Sequence, residues 1–295
     1  MHTSARVIII GSGIAGSSIA YHLTRLGWRD VIVLEQGELT SGTTSHAPGL
    51  VGQLRSSVSL TKMLMYSVAL YKELQVDDQP GYFGTGSLRL ASSPERLEEL
   101  KRQAGFARSV GLSAELLSPS EALAMFPLMS PDDLTGALYL AGDGTARAPV
   151  LAQALINRAR EQGASFYAHT RVTGIEVSAS RVQAVQTSQG RIACEILVVA
   201  AGIWSPHIGH MAGVSIPLIP MQHQYVMSGP LPELAAGLNV PNLRDPDKLV
   251  YYRQEGSGLI LGGYERDPIG LDVAAIPQKT NPTILAYDEA RFASL

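Results

Sequence analysis

The chain has 295 residues, of which 45% are hydrophobic and 17% are charged, and its formal net charge is −3 at pH 7. This length exceeds what one compact unit normally holds, so two domains are expected. The small net charge does not favour nucleic acid or an acidic membrane surface as a partner. A single cysteine, Cys194, excludes a disulfide framework and a cysteine-ligated metal site. No run approaches the ~18 apolar residues of a membrane helix, so we expect a cytoplasmic protein.

The N-terminal segment has the pattern of a strand, a helix and a second strand. The apolar run over residues 5–10 is typical of a strand buried on both faces of a parallel sheet. Residues 14–26 follow with helical spacing and end at Gly27, and residues 31–35 form a second apolar run. Together these elements predict a βαβ unit.

Helices and short strands are predicted along the rest of the chain. After a loop over residues 36–59, the predicted elements are helices at 60–75, 93–110, 118 onward and 149–162, and a strand at 87–91. Residues 164–200 predict an antiparallel meander that leads into a buried strand. From residue 216 onward we expect polar-alternating strands separated by Gly/Pro turns, and residues 277–295 resemble a tail.

Residues 11–16 (GSGIAG) connect the first strand to the first helix, which is the context in which G-x-G-x-x-G indicates a dinucleotide site. Gly11 permits a tight turn, Gly13 lets the backbone approach a pyrophosphate, and Gly16 permits close packing of helix on strand. The helix N-terminus offers free N–H groups to the phosphates. Glu35 ends the second strand, where its carboxylate can accept hydrogen bonds from a ribose and would repel a 2′-phosphate. NADP is therefore disfavoured, while NAD and FAD both remain open.

The chain leaves the Rossmann pattern after Glu35 and returns to a sheet core only near residue 164. That return ends in residues 200–205 (AAGIWS), and a glycine-rich turn at 142–144 precedes Pro149. These features resemble the D-amino-acid-oxidase-like, or glycine-oxidase-like, FAD superfamily. The resemblance implies an α/β fold in which a Rossmann-type FAD-binding domain carries an inserted, mostly antiparallel β substrate domain. We expect the FAD domain at residues 1–80 and 141–215, and substrate-domain segments, incomplete at the C-terminus, at 81–140 and 216–295.

Two further segments resemble dimethylglycine and sarcosine dehydrogenases and oxidases in particular. They are residues 44–50 (TSHAPGL) and 218–226 (LIPMQHQYV), and the likeness extends from residue 5 to about 270. In that family the histidine of the first segment is bonded covalently to the flavin 8α-methyl carbon, and the matching residue here is His46. The resemblance implies FAD as the cofactor, bound by Gly11, Gly13, Ile14, Ala15, Gly16, Glu35, Gln36, Ser45, His46, Val172, Ala201, Gly202 and Trp204.

His223 and Tyr251 are the catalytic residues that the resemblance implies. Imidazole titrates near neutrality, so His223 can take the proton of a substrate amine; the alternative is a core histidine bonded to backbone. His223 is expected to share a strand face with Tyr225. The family pairs a tyrosine with this histidine, and alignment places Tyr251 there, whereas a slip of one residue would select Tyr252.

A substrate carboxylate should meet a guanidinium group, and Arg253, Arg55 and Arg266 are all candidates. His207 and His210 are three residues apart, but without a neighbouring carboxylate or cysteine they predict a solvated helix face and not a metal site. We expect no metal ion.

The resemblance implies oxidative N-demethylation of dimethylglycine or sarcosine, with a hydride passing from the N-methyl carbon to flavin N5. The resulting iminium would be hydrolysed, or captured by tetrahydrofolate on a C-terminal domain that family members carry beyond the point matching Leu295. Two alternatives stay open. One is an FAD-dependent oxidase of another amino acid or of glycerol 3-phosphate, and the other is a catalytically silent dinucleotide-binding module.

Overall fold

The computed structural model describes residues 2–272, 274, 276 and 285–293. Its strands, in chain order, are β1 (Ser4–Ile10), β2 (Val31–Leu34), β3 (Leu50–Val51), β4 (Gln75–Val76), β5 (Gln79–Pro80), β6 (Tyr82–Phe83), β7 (Ser87–Ala91), β8 (Glu115–Leu117), β9 (Gly136–Leu140), β10 (Gly144–Ala146), β11 (Ser165–Tyr167), β12 (Val172–Ser178), β13 (Arg181–Thr187), β14 (Gly190–Val199), β15 (Met221–Gln222), β16 (Tyr225–Met227), β17 (Asn242–Asp245), β18 (Val250–Glu255), β19 (Gly258–Gly263) and β20 (Ile269–Gly270).

The α-helices are α1 (Ile14–Arg25), α2 (Val58–Tyr71), α3 (Pro94–Ser109), α4 (Pro119–Met125), α5 (Ala148–Glu161), α6 (Ser205–Met211), α7 (Pro232–Ala235) and α8 (Glu289–Phe292). Short 3-10 helices lie at Thr43–His46 and Gly202–Trp204. Within the described residues, no helix combines the length and the apolar character needed to cross a membrane.

A six-stranded sheet in the order β11-β2-β1-β14-β13-β12 forms the first layer. β11, β2, β1 and β14 run parallel, and β13 and β12 continue the sheet antiparallel. Helices α1 and α5 pack on one face, where they cover the side chains of Val7 and Ile9, while Ile8 and Ile10 are buried on the other face with Ile208 of α6. β1 thus carries apolar side chains on both of its faces, which explains the continuous apolar run. The order β1, α1, β2 confirms the predicted βαβ unit.

The predicted meander over residues 164–200 is wrong at its first strand. β11 lies parallel beside β2 at one edge of the sheet, and β12 lies at the opposite edge. Between them His169 adopts a left-handed backbone (φ 51) and its N–H donates to Gly37 O at 3.1 Å. The chain therefore crosses the end of the sheet, and only β12, β13 and β14 form the meander.

A seven-stranded sheet in the order β16-β19-β18-β17-β7-β9-β8 forms the second layer. Its pairs are antiparallel except for β17 and β7. Leu88, Leu243 and Leu259 lie in an apolar cluster with Phe126 and with Leu234 of α7. Because side chains alternate along a strand, the neighbours of these residues point to the other face. That face carries Ser87, Arg89, Asn242, Arg244 and Tyr251, and we call it the polar face.

The two sheets match the predicted α/β architecture. The strands of the six-stranded sheet come from residues 4–34 and 165–199, and those of the seven-stranded sheet come from 87–140 and 225–263. A small sheet in the order β3-β10-β6 joins residues 50–51, 144–146 and 82–83. The division into domains at residues 80, 140 and 215 stays a prediction.

Local boundaries follow from capping groups that the sequence contains. Ser118 and Glu121 form the predicted capping box at the start of α4. The predicted helix at 60–75 begins earlier, at Val58, because the Ser57 side chain accepts a hydrogen bond from Leu60 N. The expected tail at 277–295 includes residues 277–284 and 294–295, which lie outside the described residues.

Residues 221–226 do not form one alternating strand, so the expectation that His223 shares a strand face with Tyr225 is wrong. β15 pairs with β20, whereas β16 pairs with β19 in the seven-stranded sheet. His223 and Gln224 lie between the two strands, and the Gln224 amide exchanges hydrogen bonds with the backbone of Asp288. Pairing with two different sheets interrupts the strand at this point.

Candidate active site

A cavity of about 570 Å³ lies at the carboxyl ends of β1 and β2. This is the edge at which open α/β sheets bind their ligands. Ten of the predicted cofactor-binding residues line it, namely Gly11, Gly13, Ile14, Ala15, Glu35, Gln36, Val172, Ala201, Gly202 and Trp204. Gly16, Ser45 and His46 do not line the cavity.

Two glycines of the motif are required by the protein's own packing. Gly11 has a φ of +104, and a Cβ there would lie 2.4 Å from the carbonyl oxygen of Ala200. A Cβ on Gly16 would lie 1.9 Å from Gly11 O. Gly16 therefore supports the cavity without lining it, because it allows α1 to pack closely against the turn that begins at Gly11.

Glu35 lies where the motif predicts, half-buried at the cavity wall. One carboxylate oxygen accepts from Ser12 N and Ser12 Oγ, each at 3.0 Å, and the other accepts from Gly37 N at 3.0 Å. These bonds fix the carboxylate, and the oxygen that faces Gly37 retains capacity for another donor. This arrangement suits a ribose hydroxyl.

The loop that contains His46 is attached to the cavity at two points. Thr44 Oγ1 accepts a hydrogen bond from Ile14 N at 2.9 Å, which satisfies a backbone donor at the N-terminus of α1. Gly49 has a φ of +82, and a Cβ there would lie 2.2 Å from Ala146 O. Thr43, Thr44 and Ala47 line the cavity, and His46 is half-buried beside them. Sequence analysis missed Thr44 because its partner is distant along the chain.

His207 corrects the prediction of a solvated helix face on α6. Its side chain is half-buried and lines the cavity together with Ser205 and Ile208, whereas His210 is exposed. The 3-10 turn at Gly202–Trp204 feeds directly into α6, so the first turn of α6 faces the cavity. The signal available in the sequence was the position of His207 just after the AGIWS segment.

His223 and Tyr251 approach each other through Tyr264, which sequence analysis did not single out. The His223 and Tyr264 ring centroids are 6.3 Å apart in an edge arrangement, and those of Tyr264 and Tyr251 are 5.8 Å apart. His223 Nδ1 lies 3.1 Å from Glu265 Oε2. The structure thus brings a histidine, two tyrosines and a glutamate into one cluster, which we call the His223 cluster.

Tyr251 and Tyr252 lie on opposite faces of the seven-stranded sheet. Tyr252 packs against the apolar cluster on the opposite face of the sheet, whereas Tyr251 lies on the polar face with the His223 cluster. A Cβ on Gly262, the residue paired with Tyr251, would lie 2.2 Å from the Tyr251 hydroxyl oxygen. The glycine leaves the space that the phenol ring occupies. Burial is the main cause that raises the pKa of Tyr251 to about 12.

A cationic patch adjoins Tyr251 on the polar face. Tyr251 pairs with Arg244, and Arg244 pairs with Arg89, so the three residues form one row across β18, β17 and β7. Burial, and secondly the Arg244 guanidinium, lower the pKa of Arg55 and also that of Arg89. The half-buried Arg244 side chain makes no hydrogen bond or ion pair within the described residues.

The three arginines that the sequence analysis named as candidates for binding the substrate carboxylate occupy different environments. Arg55 lies beside Arg244 and close enough to Tyr264 to interact with it electrostatically. Arg253 is buried and pairs with Glu255 at 2.6 Å, and Arg266 is exposed. Of these three candidates, the geometry therefore favours Arg55. Arg244 was missed because only strand register places it beside Tyr251.

Known proteins share this fold and these segments. A family model described as "FAD dependent oxidoreductase" matches residues 6–294. Mouse mitochondrial sarcosine dehydrogenase is 38% identical over 276 residues, which covers 90% of this chain and 30% of the relative. Rat mitochondrial dimethylglycine dehydrogenase is 38% identical over 264 residues, covering 88% of this chain and 31% of the relative. The crystal structure of L-proline dehydrogenase from P. horikoshii matches with a TM-score of 0.82 at 26% identity, covering 91% of this chain and 71% of that chain.

The chain belongs to the FAD-dependent oxidoreductase family. This confirms the predicted family and, with the matching crystal structure, the predicted fold class. The chain spans about a third of the length of the two dehydrogenases. The cavity fits the cofactor that the family name states, because its walls carry the glycine turn, the helix N-terminus and the fixed Glu35 carboxylate.

Proposed function

We propose that this protein oxidises the N-methyl group of an N-methylated glycine, dimethylglycine or sarcosine, with FAD as the hydride acceptor. The observation that carries the proposal is the juxtaposition of the His223 cluster with Arg244 on the polar face. An imidazole beside a phenol can accept a proton from an amine, and a guanidinium next to them can bind a carboxylate. A small N-methyl amino acid presents these two groups a few bonds apart.

FAD, when bound, supplies the hydride acceptor and thereby the redox chemistry. The chain's own contribution begins with holding it. Gly11 and Gly13 form the turn against which the pyrophosphate would lie, and the Glu35 carboxylate would accept a hydrogen bond from a ribose hydroxyl. Trp204 and His207 line the wall that α6 and the preceding turn form. Ala148, which directly precedes the Pro149 of the resemblance, also lines the cavity.

His223 and Tyr251 have different roles at the substrate amine: one accepts its proton and the other donates a hydrogen bond. An amine loses a hydride from its N-methyl carbon only when the nitrogen carries a lone pair, so the ammonium form must first lose a proton. The Tyr251 phenol stays neutral through the physiological range because burial raises its pKa to about 12. Tyr251 is therefore a hydrogen-bond donor, and the exposed His223 imidazole is the group that accepts the amine proton. The iminium product is then hydrolysed.

Arg244 and Arg55 are proposed to orient the substrate through its carboxylate. Burial and the neighbouring Arg244 guanidinium lower the pKa of Arg55, and a bound anion would offset both the desolvation of these cations and their repulsion. Tyr251 is the register partner of Arg244, so the two residues lie side by side on neighbouring strands. A glycine derivative held by its carboxylate would then direct its amine nitrogen towards the phenol.

Replacement of Arg244 by Gln is expected to raise KM for sarcosine by tenfold or more, roughly 1.4 kcal/mol of lost binding, with a smaller change in kcat. The physical reason is the loss of a charge-assisted hydrogen bond to the carboxylate. Steady-state kinetics measure the change. Arg181→Gln, on the exposed start of β13, is the matched control and should match the wild type. An unchanged KM in Arg244→Gln would remove Arg244 from the substrate site.

His46 is proposed as the point of covalent flavin attachment. The loop is fixed at Thr44 and Gly49, so the imidazole between them stays beside the cavity that would hold the flavin. We expect wild-type protein precipitated with acid to keep its yellow colour in the pellet, and His46→Ala to release it into the supernatant. His210→Ala is the control, because His210 is exposed on α6 and lies outside the cavity lining. Equal release from all three proteins would contradict covalent attachment.

Turnover assays separate this function from its alternatives. Dimethylglycine and sarcosine should be oxidised with release of formaldehyde, while glycerol 3-phosphate, proline and glycine should be poor substrates. Preference for one of the latter would replace the proposed substrate. Protein that carries stoichiometric FAD and turns over none of these compounds would support the silent dinucleotide-binding module.

A further inference from the structure

Glu265 is hydrogen-bonded to His223 and is the less exposed residue of the two. Its side chain is 8% exposed, whereas that of His223 is 52% exposed, and their nearest atoms, Oε2 and Nδ1, are 3.1 Å apart. Glu265 lies two residues after the end of β19 and directly follows Tyr264, whose N–H donates to Leu249 O at 2.8 Å. That backbone bond fixes the chain next to Glu265, whose carboxylate contacts an imidazole on the irregular segment between β15 and β16.

We infer that Glu265 is a positioning residue that sets the tautomer and the orientation of the His223 ring; this inference rests on the proposed function of the His223 cluster. Nδ1 of a neutral imidazole that bonds to a carboxylate must carry the proton, because a carboxylate only accepts hydrogen bonds. The lone pair then lies on Nε2. The same carboxylate stabilises the imidazolium that forms when Nε2 takes a proton from the substrate amine.

Proton transfer in this arrangement is balanced without any further reactant. The N–H bond of the substrate ammonium breaks, a bond forms between that proton and His223 Nε2, and the electron pair stays on the amine nitrogen. Glu265 keeps its negative charge throughout and does not receive the proton. It acts on the substrate only through His223.

Several other charged or titratable groups surround this pair. Tyr264 contacts the His223 ring, and Tyr251 contacts Tyr264. Tyr225, Arg244 and Arg55 interact electrostatically with these two tyrosines. On its other side Glu265 lines a second cavity with Lys248, Arg266, Asp267, Asp288 and Arg291. Of all these groups, Glu265 is the one with an atom within hydrogen-bond distance of His223.

The test compares Glu265→Gln with the wild-type protein in two measurements. The first is the NMR spectrum of the ¹⁵N-labelled histidine rings in their neutral form, in which the His223 signals are identified by their loss in His223→Asn. Wild-type His223 should carry its proton on Nδ1, and the variant should show a larger share of the Nε2–H tautomer, because a carboxamide, unlike a carboxylate, does not require a donor at Nδ1. The second is steady-state kinetics with sarcosine, in which kcat should fall roughly tenfold or more with little change in KM, because Glu265 acts only through the tautomer of His223.

Glu115→Gln is the matched control, because Glu115 is exposed on the far edge strand β8. It should leave both the His223 tautomer and the kinetics unchanged. Where Glu265→Gln lacks the native circular dichroism spectrum, Glu265→Asp replaces it, since that variant keeps the charge but withdraws it by one methylene. A smaller loss of the Nδ1–H tautomer and of kcat is then expected.

A His223 tautomer in the Glu265 variant that equals that of the wild type would overturn the inference. So would an equal change of tautomer in Glu115→Gln. A changed tautomer in a protein that oxidises no N-methyl amino acid would overturn the proposed function and leave the assignment of Glu265 to His223 in place. The two hypotheses therefore fail on different measurements.

Discussion

Gly16→Ala is expected to weaken FAD binding at least tenfold, about 1.4 kcal/mol, and to lower the free energy of unfolding by about 1–3 kcal/mol. The added methyl would lie 1.9 Å from Gly11 O, so the turn and the helix must separate. That movement displaces Ser12, whose N–H and hydroxyl hold the Glu35 carboxylate. Flavin fluorescence quenching in the His46→Ala background, where no covalent bond holds the flavin, measures the first effect, and thermal unfolding measures the second.

Gly105→Ala is the matched control for this substitution. Gly105 also lies within an α-helix, α3, but a Cβ there meets no heavy atom within 4 Å. Because alanine has the higher helix propensity, this variant should bind FAD normally and gain roughly 0.5–1 kcal/mol of stability. Wild-type flavin content in Gly16→Ala would show that the turn can move without affecting the cofactor, contrary to our interpretation of the motif.

His223→Asn is expected to lower kcat/KM for the N-methyl substrate by about 10²–10⁴-fold, the usual contribution of a general acid or base. Asparagine keeps a polar group near Glu265 but cannot accept a proton at neutral pH. The loss should shrink at high pH, where the amine is already deprotonated in solution. Initial rates measured between neutral and alkaline pH test both statements.

His210→Asn is the control for the same chemical change at an exposed histidine of α6. It should retain wild-type kcat/KM across the pH range. If His223→Asn shows a pH-independent loss, His223 shapes the site without exchanging a proton, and the proposed division of roles between His223 and Tyr251 fails.

Elements that depend on neighbouring residues were predictable from the sequence. The βαβ unit follows from apolar runs and a glycine motif within one short span, and the α4 capping box follows from Ser118 and Glu121. The cavity-lining positions of Gly11, Gly13 and Glu35 follow from the same motif. Each of these signals lies within a short stretch of sequence, so the residue pattern alone identifies the element.

Elements that depend on strand pairing were not predictable in this way. The alternation in residues 221–226 indicates one strand, but each half pairs with a different sheet, and His223 consequently lies off the strand. Arg244 and Glu265 reach the His223 cluster only through the register of β17, β18 and β19. Thr44 meets Ile14 across a loop. The periodicity of a single sequence does not reveal contacts between residues that are so far apart along the chain.

The turn between β17 and β18 has a consequence for how substrate preference can change. Asp245 Oδ1 accepts from Asp247 N and Lys248 N, each at 3.0 Å, and Leu249 closes the turn with a φ of 60. A one-residue deletion here would shift β18 against β17 and turn its side chains over. Tyr252 would then replace Tyr251 beside Arg244. A single length change in this turn can thus remove a phenol from the candidate active site without substituting any residue that lines it.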